Sequence, residues 1–276
     1  MKLGKIAYIA VIVILIGVFV FSGIQVGSYL LESRQQQSQF DELAAMKEQA
    51  AQQATEPEET EPPQTEAQET EAPAETTEAT EPTEPPILQD YAAIYESNNH
   101  VVGWIKIDGT KVNYPVMQTP QEPNYYFKRN FDGNYSEHGC IYAREECDIN
   151  EPSDNVTLYG HNMLDGSMFA ALLDYEDKAV WEYNPLIFFD TLHEYHVYKI
   201  FAVFKTTASI DEGFKYHHMI DAVDEEDFNN FIATAKELSF YDTGITPKYG
   251  DKIICLSTCE YTLKNGRFVV AAVRIS

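Results

Sequence analysis

Hydrophobic and polar positions divide the chain into four stretches of different character. Ile6 to Ile24 are 19 positions without a charge, broken only by Ser22 and two glycines, and apolar character continues past Gln25 to Leu31. As a helix the first 19 residues span about 28 Å, close to the hydrocarbon thickness of a bilayer. A secretory signal has a shorter apolar core and a small-residue cleavage site, so residues 6–31 predict an uncleaved transmembrane anchor. Lys2 and Lys5 precede the run, while Glu32 and Arg34 follow it and cancel. The positive-inside bias therefore places residues 1–5 in the cytoplasm and everything after residue 31 outside.

Residues 32–54 are rich in Gln, Ala and Glu and predict a juxtamembrane helical segment. Phe40, Leu43 and Met46 form a thin apolar stripe on it, poor evidence for a coiled-coil dimer seam. Residues 55–86 carry eleven Glu, seven of the chain's 13 prolines and no large apolar residue. That composition predicts a disordered Glu/Thr/Pro-rich linker, kept extended by charge and proline, whose expected job is reach.

From residue 87 to 276 the pattern is that of a folded domain. Residues 88–97 have helical spacing. Apolar or alternating runs follow near 101–107, 112–117, 138–143, 155–159, 185–190, 194–205, 251–257 and 267–275. Asp108-Gly109, Asp132-Gly133 and Asn265-Gly266 supply turn signals between several of them. Two segments break the strand pattern: 166–178 and, more strongly, 224–238. The second opens on Asp224-Glu-Glu-Asp and places Phe228, Phe231, Ile232, Ala235 and Leu238 on one face, an amphipathic helix. About eight strands with few helices suggest a mainly β domain, a barrel or a sandwich.

Charge narrows the classes of partner. The formal net charge is −25, of which residues 55–86 hold −11 and residues 87–276 about −14. Phosphate binding needs clustered Lys and Arg, so a nucleic-acid partner is excluded. There is no carboxylate cluster of calcium-loop form. Four cysteines, at 140, 147, 255 and 259, are too few for a disulfide scaffold in a domain of this size. Cys255 and Cys259 lie on one predicted strand about 13 Å apart, too far for a disulfide or a shared metal ion. A Cys140–Cys147 bridge stays open.

Cys259 ends an apolar strand, where a thiol can face a cleft and act as a nucleophile once ionised. Arg267 begins the next strand. If the two strands form an antiparallel pair, the loop 260–266 returns its guanidinium beside Cys259, where it can stabilise an oxyanion or clamp a substrate backbone. Arg274, seven residues further on, points to the other face and is the poorer candidate. Of seven histidines, only His161 both ends a β-like run and precedes a loop opening toward a helix, in Tyr159-Gly-His-Asn-Met-Leu-Asp-Gly-Ser167. Gly160 lets the backbone turn sharply there, and an imidazole so placed can pass protons to and from an amine. Taken singly each of the three residues is ordinary; a buried, inert cysteine is the commoner fate of a lone thiol.

Together they resemble the sortases, specifically class B. The resemblance rests on Leu256-Ser-Thr-Cys259 with Arg267, and on Tyr159-Gly-His161-Asn-Met-x-Asp-Gly-x-Met-Phe169. Val102-Gly-Trp-Ile-Lys-Ile107, Val112-Asn-Tyr-Pro-Val-Met117, Tyr126-x-x-x-Asn-Phe-Asp-Gly133 and the 224–238 helix support it. It covers roughly residues 88–276. The family's cysteine motif usually begins with threonine, and Cys255 takes that place here. The resemblance implies a closed eight-stranded β-barrel with peripheral helices, preceded here by the anchor helix and the disordered linker. It also implies a cysteine transpeptidase that cleaves a C-terminal sorting signal of secreted proteins, of Asn-Pro-x-Thr-x type, after Thr. Cys259 would form the thioacyl intermediate, His161 would protonate the departing amine, and Arg267 would hold the oxyanion or the substrate. Tyr159, Ser257 and Glu260 would line the site. The acceptor would be an amine of cell-wall peptidoglycan or its lipid-linked precursor, and no cofactor is implied. A pilin-polymerising sortase, a thiol endopeptidase and a non-catalytic surface scaffold are the alternatives.

Overall fold

The computed structural model describes residues 2–55, 85–209 and 211–276; nearly all of the 55–86 linker expected from sequence lies outside the described residues. α1 (Lys2–Thr55) is one continuous helix, so the apolar run and the polar segment after it are not separate elements. At 1.5 Å per residue its 54 residues extend about 81 Å. The helix is long and apolar enough near its start to cross a membrane. Its second half packs on the folded domain: Phe40 is 2 % exposed and meets the Tyr114 ring edge-on at 5.2 Å, and Leu43 is buried. The apolar stripe thus finds its partner within the same chain, which leaves only Met46 largely exposed.

After α2 (Gln89–Ser97) come eight strands: β1 (Val101–Lys106), β2 (Asn113–Met117), β3 (Ile141–Ala143), β4 (Asn155–Tyr159), β5 (Leu186–Thr191), β6 (Val197–Thr207), β7 (Ile253–Glu260) and β8 (Gly266–Arg274). They close into a barrel in the order β1-β2-β3-β4-β7-β8-β6-β5. Closure removes every free sheet edge. All eight expected runs are strands, and β3 is the most shortened. The lost start of the expected run, 138–140, contains Gly139, which has φ +59 and sits so close to the Phe127 and Tyr126 carbonyls that a side chain would not fit.

Alternation along the strands separates two cores. Val156, Leu158, Ile254, Leu256, Phe268, Val270 and Ala272 point into the barrel. Their neighbours Ile253, Cys255, Val269, Ala271 and Val273 point outward and are covered by α4 (Glu225–Leu238). α4 begins where the sequence predicts: the Asp224 side chain accepts from the Asp227 N–H at 2.9 Å, and Glu225, Glu226 and Asp227 fill the positive end of the helix. Phe228, Phe231, Ile232 and Ala235 are its buried face. Phe228→Ala is expected to cost about 3–5 kcal/mol of stability, because the cavity it leaves is walled by the barrel and cannot collapse. Urea denaturation measures this; a loss below about 1 kcal/mol would show that α4 is not an integral wall of the outer core.

The expected break at 166–178 holds a 3₁₀ segment, Ala170–Glu176, followed by a short α3 (Lys178–Tyr183). All four cysteines are free thiols; Cys140, Cys147 and Cys255 are buried.

Candidate active site

The site is built where two strands distant in sequence run side by side. β4 and β7 are parallel neighbours, with Tyr159 opposite Ser257, so both strands end at the same rim of the barrel. Beyond β4 the chain continues into Gly160-His161, and beyond Ser257 into Thr258-Cys259. Across the antiparallel β7–β8 pair Cys259 is registered directly opposite Arg267. Odd-numbered positions of β7 and β8 face outward near the barrel middle, and Cys259 and Arg267 continue that outward face past the end of α4's cover. The hairpin geometry expected from sequence is therefore the one observed.

Three hydrogen bonds fasten the His161 segment to the end of β7. Gly160 N–H donates to the Ser257 carbonyl at 3.1 Å, Thr258 Oγ1 to the Gly160 carbonyl at 2.8 Å, and Asn162 Nδ2 to the Cys259 carbonyl at 3.1 Å. Gly160 serves by its missing side chain rather than by a left-handed backbone: a Cβ there would lie 2.5 Å from Ile141 and 2.7 Å from Phe169. The loop after it folds back on itself, with Phe169 N–H donating to the His161 carbonyl at 2.9 Å and Met168 N–H to the Tyr114 hydroxyl at 3.1 Å. Met168 holds φ +56, a conformation costly for a residue with a side chain and maintained by these contacts.

Phe127, Tyr142, Tyr159, His161, Cys259 and Arg267 converge on one cleft, with Ser257 and Thr258 at its base. The His161 ring packs against Phe127 at 4.6 Å, and Nε2 lies 2.7 Å from the Phe127 carbonyl. Donation at Nε2 leaves Nδ1 as the acceptor of the neutral ring. Burial pushes the His161 pKa below its ordinary value, and the Phe127 carbonyl works against that shift. No hydrogen bond joins the Cys259 thiol to His161 among the described residues, and both side chains line the same cleft. Arg267 Nη1 donates to the Gly266 carbonyl at 2.9 Å, which fixes one side of the guanidinium and leaves its other N–H groups available.

Cys255 shares β7 with Cys259 but lies in the outer core, and burial raises its thiol pKa. The two thiols of this strand are separated by environment rather than by chemistry.

Ser257 lines the cleft, but it is buried and its hydroxyl is paired with Tyr216 at 2.6 Å. Glu260 does not face the cleft. Its carboxylate accepts from the N–H groups of Thr262 at 2.8 Å and Leu263 at 3.0 Å, and it holds the β7–β8 turn together. Burial opposes ionisation of Glu260, yet these hydrogen bonds and Lys205 keep its pKa low. The resemblance implied that Glu260 lines the site, but alternation along the strand turns this side chain away. Phe127, Tyr142, Asn162 and Tyr216 were missed by sequence reasoning. Asn162 alone had a signal, its place beside His161; the others arrive from remote segments.

Burial holds three histidines, 161, 196 and 217, below their ordinary pKa, His217 to about 4. The unfolded chain therefore binds more protons than the native state below the unfolded value of 6.5. Their contribution is present above that pH and lost as pH falls. Thermal melts are expected to show stability falling from pH 6.5 toward pH 4, with a shallower fall in His217→Gln. Stability rising with acid over that window would contradict the assignment.

A thiol beside a guanidinium and across a cleft from an imidazole is equipped for thioacyl chemistry. Comparison with known proteins gives that chemistry a family. A sequence profile of the sortase domain matches residues 105–275. Sortase B of Listeria monocytogenes is 29% identical over 261 residues, which cover 93% of this chain and 92% of that protein. Sortase B of Staphylococcus aureus is 28% identical over 188 residues, covering 67% and 75% respectively. Among solved structures, sortase B of Bacillus anthracis superposes with TM-score 0.60 at 32% identity, covering 69% of this chain and 86% of that one. A substrate complex of S. aureus sortase B superposes with TM-score 0.72 at 24% identity, covering 89% and 99%. The chain belongs to the sortase family of cysteine transpeptidases, and within it to class B.

Proposed function

We propose that the chain is a membrane-anchored transpeptidase that joins secreted proteins to the cell wall, with Cys259, His161 and Arg267 as its catalytic residues. The observation that carries this reading is the pairing of Cys259 with Arg267 on β7 and β8, with His161 held across the same cleft. Cys259 gives its thiol proton to Nδ1 of the neutral His161 and, as thiolate, attacks the Thr carbonyl carbon of an Asn-Pro-x-Thr-x-type sorting signal. The carbonyl electron pair moves to oxygen, where the Arg267 N–H groups stabilise it. Collapse breaks the C–N bond, and His161 delivers its proton to the leaving amine. An amine of peptidoglycan or its lipid-linked precursor then attacks the thioester and yields its proton to His161. The new amide forms as Cys259 leaves as thiolate, so no net water or redox partner is consumed. Tyr159 and Ser257 form a wall of the substrate cleft; Glu260 supports it from behind through the turn.

α1 is the anchor, with residues 1–5 cytoplasmic and the catalytic domain, 87–276, on the wall side of a Gram-positive membrane. The apolar length of the helix and the charges flanking it support this topology. A sorting peptide mixed with the enzyme, with and without an amine acceptor, tests the reaction by mass spectrometry. Ligated product that rises with acceptor is expected; hydrolysis alone at every acceptor concentration would replace the transferase reading by an endopeptidase.

A further inference from the structure

α1 touches the domain in a fixed order along its length. Lys47 pairs with Asp190 at 2.7 Å, Gln39 donates to Asp132 at 2.7 Å, and Gln36 joins Ser136 and the Gly139 carbonyl. Ser33 donates to Asp165, Glu32 accepts from the Glu137 N–H at 2.8 Å, and Tyr29 stacks on His138 at 5.5 Å. The last contacts therefore fall inside or just beyond the apolar run that ends at Leu31. Counting 1.5 Å per residue from Ile24, Tyr29 stands about 8 Å and Ser33 about 14 Å along the helix. A headgroup layer is about 5–8 Å thick.

The edge of the barrel at this level is the loop that carries His161, whose tip is Met163-Leu164-Asp165. Leu164 is 99 % exposed, an apolar side chain that none of the described residues covers, one residue from the contact with Ser33. The acids at this edge have partners: Glu137 with Lys128 at 2.8 Å, and Asp165 with His138 at 3.2 Å and with Ser167 at 2.6 Å, while Lys111 donates to the Asp165 carbonyl at 2.7 Å. Local pairing of this kind lowers the repulsion that an acidic domain meets at an anionic surface.

We propose that this edge of the barrel rests on the membrane that α1 crosses, with Leu164 entering the headgroup layer. The proposal rests on the reading of α1 as a transmembrane anchor. It places the His161 loop at the membrane surface. The contacts of α1 with the barrel would then fix the height of the barrel above the bilayer.

The full-length chain carrying Leu164→Trp, in phosphatidylethanolamine–phosphatidylglycerol vesicles with brominated acyl chains, provides the test. Val223→Trp is the comparison: Val223 is 88 % exposed and follows Ala222, which bonds to Asp154 just before β4, at the barrel end away from the cleft. Trp104 and Trp181 are common to both variants. Roughly twofold greater quenching of the emission added at position 164 than at position 223 is expected, as for a side chain held in the headgroup layer. If the chain floats with the vesicles but positions 164 and 223 are quenched alike, the barrel does not lie down and the proposal is wrong. If the chain does not float with them, the anchor reading fails, and the proposal with it.

Discussion

Cys259→Ala is expected to abolish both sorting-peptide cleavage and the hydroxylamine-sensitive acyl adduct, a loss of at least about 10³-fold. Cys255→Ala, four residues away on the same strand, is expected to retain the adduct and most of the activity. The contrast follows from placement. Cys255 is sealed under α4 with a thiol whose ionisation burial opposes, whereas Cys259 is half-exposed in the cleft beside Arg267. Single-turnover labelling with intact-mass detection reads the adduct directly. An adduct that survives in Cys259→Ala would overturn the assignment of the nucleophile. The paired variants also separate chemistry from folding, because the buried cysteine is the one whose truncation disturbs the core.

Arg267→Ala is expected to lower kcat by about 10²–10³-fold, the usual consequence of removing an oxyanion donor. Arg267→Lys keeps the charge but not the planar fork. Fixed by one N–H on the Gly266 carbonyl, the guanidinium still presents further donors, and an ammonium on a flexible stem cannot do both. Lysine is therefore expected to restore only a minor part of the lost rate. Steady-state kinetics on the sorting peptide distinguish the two roles open to Arg267. A loss confined to KM would make it a substrate clamp, and activity within about twofold of wild type would remove it from the machinery altogether.

Local signals carried far in this chain because most of its elements obey simple periodicities. Each of the eight runs became a strand, and α4 began at the acidic cap and buried the face its spacing marked except Leu238, which is exposed at the helix end. The juxtamembrane stripe was legible as apolar but not as to its partner; Phe40 meets Tyr114, which lies 74 residues on. Glu260 illustrates the limit within the site itself. Its neighbour Cys259 faces the cleft, and a strand sends successive side chains to opposite faces.

The sequence by itself determined the long apolar N-terminal run, the strands and helix of the domain, and the identities of the thiol, imidazole and guanidinium in their motifs. The Cys259–Arg267 pair was within its reach, since a short antiparallel hairpin is a local structure. Only the tertiary structure decided that His161 joins them. β4 and β7 are parallel neighbours separated by β5, β6 and α4, and a parallel pair needs a long crossover whose register no local pattern encodes. The same holds for the docking of α1, where contacts such as Ser33 with Asp165 span 132 residues. Such contacts are selected by the whole packed barrel, because each is too weak to be specified by the segments that make it.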